Sequence, residues 1–216
     1  MSVPGEGVSL RKGLMGGTFN PPHVAHLIVA HIVREELALD QVVLVPTYRH
    51  AFKGESQASP RDRATMTELA VAGDPCLVAD RLEIERGGVS YTVDTLRELR
   101  SREPETAWHL ILGQDNLPEL REWHAVEALP ELAEIVVVTR EVDGTAEEVL
   151  DTPLPHGLRW VPVPTLEISS TTIRRRIAEG RTIRHWVPPA VEAYIAERGL
   201  YGEKPAASVH SGGGSS

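Results

Sequence analysis

The 216-residue sequence has little cysteine, no long hydrophobic run and no excess of positive charge. Its one cysteine, Cys76, excludes a disulfide framework and a four-cysteine zinc site, and it favours a reducing, cytoplasmic location. No apolar run approaches the ~18 residues that a membrane span needs. The 22 basic and 31 acidic side chains give a formal net charge of −9, which disfavours general binding to nucleic acid or anionic membranes. We therefore expect a soluble protein without either partner.

The sequence does contain enough apolar material, 41% of its residues, for one large core without a disulfide or metal. Short apolar runs predict buried strands at residues 10–15, 42–45, 108–112, 135–139 and 158–163, and an extended segment at 77–84. Amphipathic stretches and capping residues predict helices at residues 24–37, from Ser59 onward, and at 91–102, 117–132, 170–178 and 189–198.

The alternation of strands and helices predicts an α/β fold with a Rossmann-like, doubly wound, mostly parallel sheet and helices on both of its faces. We expect residues 1–202 to form a single domain. Residues 203–216 are small, polar and rich in Gly and Ser, so we expect a disordered tail. Ligands of such sheets bind beyond the carboxyl ends of the strands, where the strand order reverses.

The turn after the first predicted strand, residues 16–26 (GGTFNPPHVAH), has the composition of an anion site. Gly16 and Gly17 permit close approach of the backbone to a ligand. His23 and His26 lie three positions apart in the first turn of the following helix, where free N–H groups and the helix dipole favour phosphate. The turn matches neither the dinucleotide-binding glycine motif nor the P-loop.

Two other interpretations of this turn remain. The paired glycines are also compatible with a simple tight turn, and two histidines at this spacing are compatible with a metal site. A zinc site needs further ligands, and we find no HExxH, no CxxC and no acidic partner in the sequence. We therefore predict no metal-binding residues.

A second segment near the end of the chain, residues 168–176 (ISSTTIRRR), predicts another phosphate site. Ser and Thr begin a helix there as N-cap residues. Three consecutive arginines in a first turn oppose the helix dipole and repel one another, so a bound polyanion accounts for them. Arg174 is expected to project to the ligand, whereas Arg175 or Arg176 fits a solvated face.

These two segments resemble the GGTFDPPHxGH and ISSTxIR signatures of the HxGH nucleotidyltransferases, in the same order and roughly 150 residues apart. Two positions differ from the first signature: Asn20 stands where many members have Asp, and Ala25 where most have Gly. The resemblance implies the nucleotidyltransferase fold.

Further segments are similar to the bacterial-type nicotinate-nucleotide adenylyltransferases within that superfamily. They are SYTVDTL at residues 90–96, LGQDNL at 112–117 followed by Trp123, and VPPAVEAYIAERGLY at 187–201. This family joins ATP and nicotinate mononucleotide to give nicotinate adenine dinucleotide and pyrophosphate, as a step of NAD biosynthesis. Mg²⁺ is expected to accompany the ATP phosphates, and a homo-oligomer is compatible with the sequence.

The resemblance also implies a role for each matching residue. The predicted catalytic residues are Thr18, His23, His26 and Arg174, with His26 nearest the transferred α-phosphate. The predicted ATP site contains these four together with Gly16, Gly17, Phe19, Gly113, Asp115, Ile168, Ser169 and Ser170. The predicted nicotinate mononucleotide site contains Asn20, Lys53, Tyr91, Thr92, Trp123 and Arg140. The loops around Lys53 and Arg140 differ from the family pattern.

Three alternatives remain open from the sequence. The first is an enzyme that uses nicotinamide mononucleotide, or both mononucleotides, because these two substrates differ only by an amide in place of a carboxylate. The second is another transferase of the superfamily, such as phosphopantetheine adenylyltransferase, against which the segments at 90–96 and 112–117 argue. The third is a homologue that binds nucleotide without turning it over.

Overall fold

The computed structural model describes residues 9–50, 57–140 and 157–202, and within these ranges a six-stranded sheet forms the centre of the molecule. The strands are β1 (Arg11–Gly17), β2 (Gln41–Pro46), β3 (Arg49–His50), β4 (Leu77–Ala79), β5 (Val89–Ser90), β6 (Ala107–Gly113), β7 (Glu134–Arg140) and β8 (Arg159–Val163). The central sheet has the order β4-β2-β1-β6-β7-β8, and β3 pairs separately with β5.

Helices connect these strands. They are α1 (Val24–Glu36), α2 (Pro60–Val71), α3 (Leu82–Arg86), α4 (Thr92–Arg102), α5 (Leu117–Leu120), α6 (Leu129–Leu132), α7 (Ser170–Ala178) and α8 (Pro189–Arg198), with 3₁₀ turns at Gln114–Asn116 and Val126–Ala128. None of the helices in the described ranges is long and apolar enough to cross a membrane.

All neighbouring strands of the central sheet run parallel, which confirms the predicted fold class. The chain moves outward from β1 to β2 and β4, then returns to the other side of β1 and continues through β6, β7 and β8. The order therefore reverses between β1 and β6. Their carboxyl ends, at Gly17 and Gly113, mark the crevice where ligands of this fold bind.

Strand β2 shows why the buried strands are continuous apolar runs. Val43 and Val45 pack into the core on one face of the sheet, and Val42 and Leu44 pack into the core on the other. Because helices cover both faces, neither set of alternating side chains reaches water, and an alternating polar pattern would leave unpaired polar groups inside.

Several helix ends form as their capping residues predict. The Ser59 hydroxyl accepts a hydrogen bond from the Asp62 N–H at 3.1 Å, and Pro60 occupies the first helical position of α2. Gly199 ends α8 with φ +58°, a left-handed conformation that glycine adopts without a steric cost. Residues 203–216, the predicted tail, lie outside the described residues, and the single-domain boundary stays a prediction.

The segment predicted as extended at 77–84 is only partly so. Strand β4 ends at Ala79, and α3 begins three residues later. The Asp80 carboxylate accepts the Leu82 N–H at 2.8 Å, and this local bond turns the chain out of the sheet and into a helix.

The helical region predicted at 117–132 is also interrupted. It contains two short helices, α5 and α6, separated by irregular chain in which Ala125 adopts φ +50°. Pro118 and Pro130 fit the starts of these helices, because proline has no N–H to contribute to a continuous one.

Candidate active site

A deep cleft of about 1470 Å³ lies beyond the carboxyl ends of β1 and β6. Pockets for one small molecule commonly measure about 300–1000 Å³, so this cleft has room for two nucleotides. The sequence-predicted site residues that line it are Gly16, Gly17, Thr18, Phe19, Asn20, His23, His26, Tyr91, Thr92, Gly113, Asp115, Trp123, Ile168, Ser169, Ser170 and Arg174. Parts of the chain that are distant in sequence thus meet in one cavity.

The two histidines of the first turn form a stacked pair at the start of α1. His23 is the N-cap residue and has an extended backbone, with φ −145° and ψ 169°. Its ring lies 3.6 Å from that of His26, centre to centre, with 21° between the planes. The buried ring of Phe19 meets His26 at 75° and 5.0 Å. These contacts hold both imidazoles against the wall of the cleft.

One hydrogen bond determines which ring nitrogen of His26 accepts a hydrogen bond and which carries the proton. The backbone N–H of His23 donates to Nδ1 of His26 at 3.1 Å, so Nδ1 must be an acceptor. In the neutral imidazole the proton is then on Nε2. His26 consequently offers an N–H donor to the cleft without first having to take up a proton.

The backbone N–H groups at the start of α1 are less available than the sequence predicts. The Val24 N–H donates to the Trp186 carbonyl at 3.0 Å, and the His26 N–H donates to the His23 carbonyl at 3.0 Å. Together with the His23 N–H, three of these groups therefore have protein partners. The expectation of a free helix N-terminus is wrong to that extent, and side chains must supply most of the donors.

Burial controls the protonation of both histidines. It lowers the pKa of His23 from 6.5 to about 4, because the charged imidazolium loses its hydration. The pKa of His26 also lies well below 6.5, first through burial and then through repulsion from His23. Both rings are neutral at pH 7 when no anion is bound.

The second predicted phosphate segment folds directly onto the first. Arg174 of α7 donates from Nη1 to the backbone carbonyl of Asn20 at 2.8 Å, across 154 positions of sequence. The Ser170 hydroxyl donates to the Pro21 carbonyl at 2.8 Å. The Ser169 hydroxyl caps α7 by accepting the Thr172 N–H at 3.1 Å. Arg174 and the histidines therefore face the same cleft.

The expectation of three arginines in the first turn of this helix is wrong. The nine-residue helix α7 begins at Ser170, so Arg174 lies in its second turn, and Arg175 and Arg176 lie in its last turn. Cations there complement the helix dipole. Arg176 lies over the ring of Trp186 at 4.7 Å, so packing explains it.

Three of the predicted mononucleotide residues, Tyr91, Thr92 and Trp123, line the part of the cleft near the start of α4. Tyr91 precedes this helix as its N-cap residue, and Thr92 is its first helical residue. Trp123 is half-buried and packs against the core. The exposed ring of His124, which belongs to none of the predicted motifs, lies 4.6 Å from the Tyr91 ring and also lines the cleft.

The turn after β6 brings a carboxylate close to the backbone. A Cβ atom at Gly113 would lie 2.5 Å from Oδ1 of Asp115, so a larger residue there would require the exposed Asp115 side chain to move. The Asn116 amide donates to the Gly113 carbonyl at 3.1 Å and stabilises the turn. Asp115 is exposed at the rim of the cleft, where its oxygens are available as acceptors.

Asn20 has a structural partner in addition to its place in the cleft. Its side-chain oxygen accepts a hydrogen bond from the Tyr201 hydroxyl at 2.7 Å. Burial raises the pKa of Tyr201, so this hydroxyl keeps its proton. Asn20 is 7% exposed, and its predicted role as a ligand stays a prediction.

Two predicted residues are not placed by the structure. Lys53 lies outside the described residues, and the side chain of Arg140, at the end of β7, is not among those described. Within the described ranges, no group of three or more His, Cys, Asp or Glu residues could hold a metal ion. His31, on another face of α1, is paired instead with Asp74 at 2.7 Å.

Sequence reasoning missed two buried charged residues beside the cleft, Arg63 and Glu83, which are 2% and 4% exposed. Arg63 donates to the carbonyls of Thr18 at 2.8 Å and Tyr48 at 2.9 Å. Oε1 of Glu83 accepts from the Thr95 hydroxyl at 2.5 Å. Each lies among other charged residues of its own helix, so nothing in the sequence distinguishes it from them.

Comparison with known proteins identifies the family of this chain. The family model described as Cytidylyltransferase-like matches residues 14–176. A protein of Salinibacter ruber named "Probable nicotinate-nucleotide adenylyltransferase" is 43% identical over 190 residues, covering 88% of this chain and 96% of its own. A Thermus thermophilus protein of the same name is 46% identical over 194 residues, covering 89% and 100%. The chain belongs to the nicotinate-nucleotide adenylyltransferase family.

Solved structures agree on the fold of this nucleotidyltransferase. Plasmodium falciparum nicotinic acid mononucleotide adenylyltransferase complexed with NaAD aligns with a TM-score of 0.73 at 19% identity, covering 89% of this chain and 97% of that one. The same enzyme complexed with APC gives a TM-score of 0.70 at 20% identity, with the same coverage. At this level of identity the likeness concerns the fold alone.

Proposed function

We propose that the protein transfers the adenylyl group of ATP to nicotinate mononucleotide, forming nicotinate adenine dinucleotide and releasing pyrophosphate. The observation that carries the proposal is the Arg174–Asn20 contact, 2.8 Å between Nη1 and the carbonyl oxygen. It joins the two predicted phosphate segments into one cleft, with Arg174, His23 and His26 on its wall.

The reaction requires the two substrates to be positioned and does not require a proton to be abstracted. The nucleophile is the phosphate of the mononucleotide, which is largely dianionic at pH 7 because its second pKa is about 6. It attacks the α-phosphorus of ATP, a new phosphate–phosphate anhydride bond forms, and the bond to the leaving pyrophosphate breaks. No general base is required, so the protein has to align two polyanions and offset their charge.

We assign the charge-offsetting groups from their places in the cleft. His26 donates its Nε2–H to the transferred α-phosphate, and His23 and Thr18 contact the neighbouring phosphate oxygens. Arg174, Ser169 and Ser170 hold the β- and γ-phosphates that leave together. A phosphate beside the neutral imidazoles raises their pKa values, so either ring can take up a proton as negative charge develops on the pyrophosphate.

We assign four further residues of the cleft to the nucleoside parts of the substrates. Asp115, beside Gly113 at the rim, accepts hydrogen bonds from ribose hydroxyls of ATP. Trp123 offers its face to the cationic pyridinium ring of the mononucleotide, a cation–π contact. Tyr91 and Thr92, at the start of α4, lie where the helix dipole favours the nicotinate carboxylate.

Mg²⁺ would accompany ATP rather than occupy a protein site. The donor groups of the described cleft fit this arrangement, because the available carboxylates are scattered and no cluster could enclose an ion. Mg²⁺ keeps several waters and binds substrate phosphates readily. When bound, it would neutralise part of the phosphate charge. The free Cys76 fits the cytoplasmic location that we propose for the enzyme.

The experiment is product identification by chromatography and mass spectrometry after incubation with ATP, Mg²⁺ and one acceptor at a time. The acceptors are nicotinate mononucleotide, nicotinamide mononucleotide and phosphopantetheine. We expect a dinucleotide and stoichiometric pyrophosphate with nicotinate mononucleotide. Product only with another acceptor would replace the proposed substrate, and nucleotide binding without any product would leave a non-catalytic homologue.

A further inference from the structure

A chain of hydrogen bonds through buried residues connects two parts of the cleft. We call residues 18–23, which end at the first of the two stacked histidines, the donor loop, and residues 90–92, which lead into α4, the acceptor segment. Arg63 of α2 donates to the Thr18 carbonyl of the donor loop at 2.8 Å and to the Tyr48 carbonyl at 2.9 Å. The Tyr48 N–H then donates to the Ser90 hydroxyl of the acceptor segment at 3.0 Å.

Glu83 fixes the other end of this chain. Its carboxylate accepts from the Ser90 hydroxyl and, at 2.5 Å, from the Thr95 hydroxyl of α4. Thr95 in turn accepts from Arg86 at 3.0 Å. Ser90 therefore accepts one hydrogen bond from the backbone of Tyr48 and donates another to Glu83, so its position is determined from both sides.

The burial of these two charges is difficult to explain by stability alone. Arg63 is 2% exposed and Glu83 is 4% exposed, yet within the described residues no carboxylate lies at ion-pair distance from Arg63, and Glu83 attracts it only from farther away. A buried charge without an ion-pair partner loses hydration that neutral hydrogen bonds restore only in part. What this arrangement does provide is a fixed distance between the two loops.

We propose that Arg63 and Glu83 are positioning residues, and that the bonds from Thr18 through Arg63, Tyr48 and Ser90 couple ATP binding at the donor loop to mononucleotide binding at the acceptor segment. This proposal rests on the function proposed above. A substrate that pulls one loop toward it also moves the other through these bonds, and by thermodynamic linkage each substrate then tightens the binding of the other by the same factor.

The test measures this factor by calorimetry. The dissociation constant of nicotinate mononucleotide is determined with and without a saturating non-hydrolysable ATP analogue and Mg²⁺. In the wild type we expect the analogue to tighten mononucleotide binding about tenfold, within the usual range of such couplings. In Ser90→Ala, which removes one hydroxyl from a half-buried position, and in Arg63→Met, the factor should fall to about one.

Lys12→Met is the matched control. Lys12 is also a mostly buried cation, with a side chain 12% exposed, and its Nζ lies 2.8 Å from Glu103. It belongs to the amino-terminal half of β1, away from the cleft, so its variant should lose thermal stability but keep the wild-type factor. This separates coupling from general destabilisation.

Other results would overturn either the proposed coupling or the proposed function. A tenfold factor retained in Ser90→Ala would overturn the proposed coupling, and so would a wild-type factor of about one. Arg63→Met is interpreted only if it folds, since Ser90→Ala alone suffices. Failure of the wild type to bind the mononucleotide or to form the dinucleotide would instead refute the proposed function itself.

Discussion

Acidification should destabilise the folded protein through its stacked histidines. Burial lowers the pKa of His23 from 6.5 to about 4 in the folded state. Between these two values the unfolded chain binds a proton that the folded protein does not. The free energy of unfolding must therefore fall as the pH falls through this window, from its full value above pH 6.5 to its lowest near pH 4.

The size of the effect follows from the two pKa values. The difference between 6.5 and about 4 corresponds to about 3 kcal/mol of unfolding free energy at the acid end of the window. Domains of this size are stable by about 5–15 kcal/mol, so the loss is a substantial part of the total. Burial also lowers the pKa of His26 in the folded state, so this residue adds to the loss of stability on acidification.

Urea unfolding of the wild type and of His23→Gln at a series of pH values between 7.5 and 4 measures this quantity. Glutamine keeps a polar side chain but does not titrate, and the carboxylates contribute equally to both proteins. The variant should lose about 3 kcal/mol less than the wild type between the ends of the series. Parallel stability curves for the two proteins would refute this account of the buried pair.

Three substitutions test the assignments within the cleft. His26→Ala removes the Nε2–H donor and should lower kcat by about 10²–10³ in the folded variant, so an unchanged kcat would end its assignment to the α-phosphate. Asp115→Ala removes the carboxylate proposed to accept from the ribose hydroxyls and should raise the KM for ATP about tenfold, whereas a normal KM would contradict this contact. Trp123→Ala removes the proposed cation–π contact and should raise the KM for the mononucleotide about tenfold; an effect on ATP alone would contradict that contact.

The parts of the fold that the sequence predicts are those in which a local pattern has a single physical cause. Helices on both faces of the sheet require apolar runs such as residues 42–45, and these runs identified the strands of the central sheet. Ser59 and Gly199 marked helix ends because capping depends on neighbouring residues only. The interruptions near Asp80 and Ala125 depend on individual turns, and the hydrophobic pattern carries no signal for them.

The residues of the site also differ in whether the sequence could predict them. The Gly-Gly turn, the two histidines and Arg174 could be predicted because their motifs are continuous in sequence, and the structure brings them into one cleft. Arg63 could not, because the carbonyls that it contacts belong to the loops at Thr18 and Tyr48, and Glu83 could not, because its bond to Thr95 depends on how α3 and α4 lie together in the folded chain. The availability of N–H groups at the start of α1 was overestimated, since the carbonyl of Trp186 comes from a remote loop.

The most direct test of the account compares kcat/KM for nicotinate mononucleotide and nicotinamide mononucleotide, measured by pyrophosphate release with ATP and Mg²⁺ in excess. The proposed function predicts a preference for nicotinate mononucleotide of more than about tenfold, because groups of the cleft that bind its carboxylate would bind the amide of nicotinamide mononucleotide less well. A ratio near one would contradict acid specificity and indicate an enzyme that uses both mononucleotides. Release with neither acceptor would contradict the proposed adenylyl transfer.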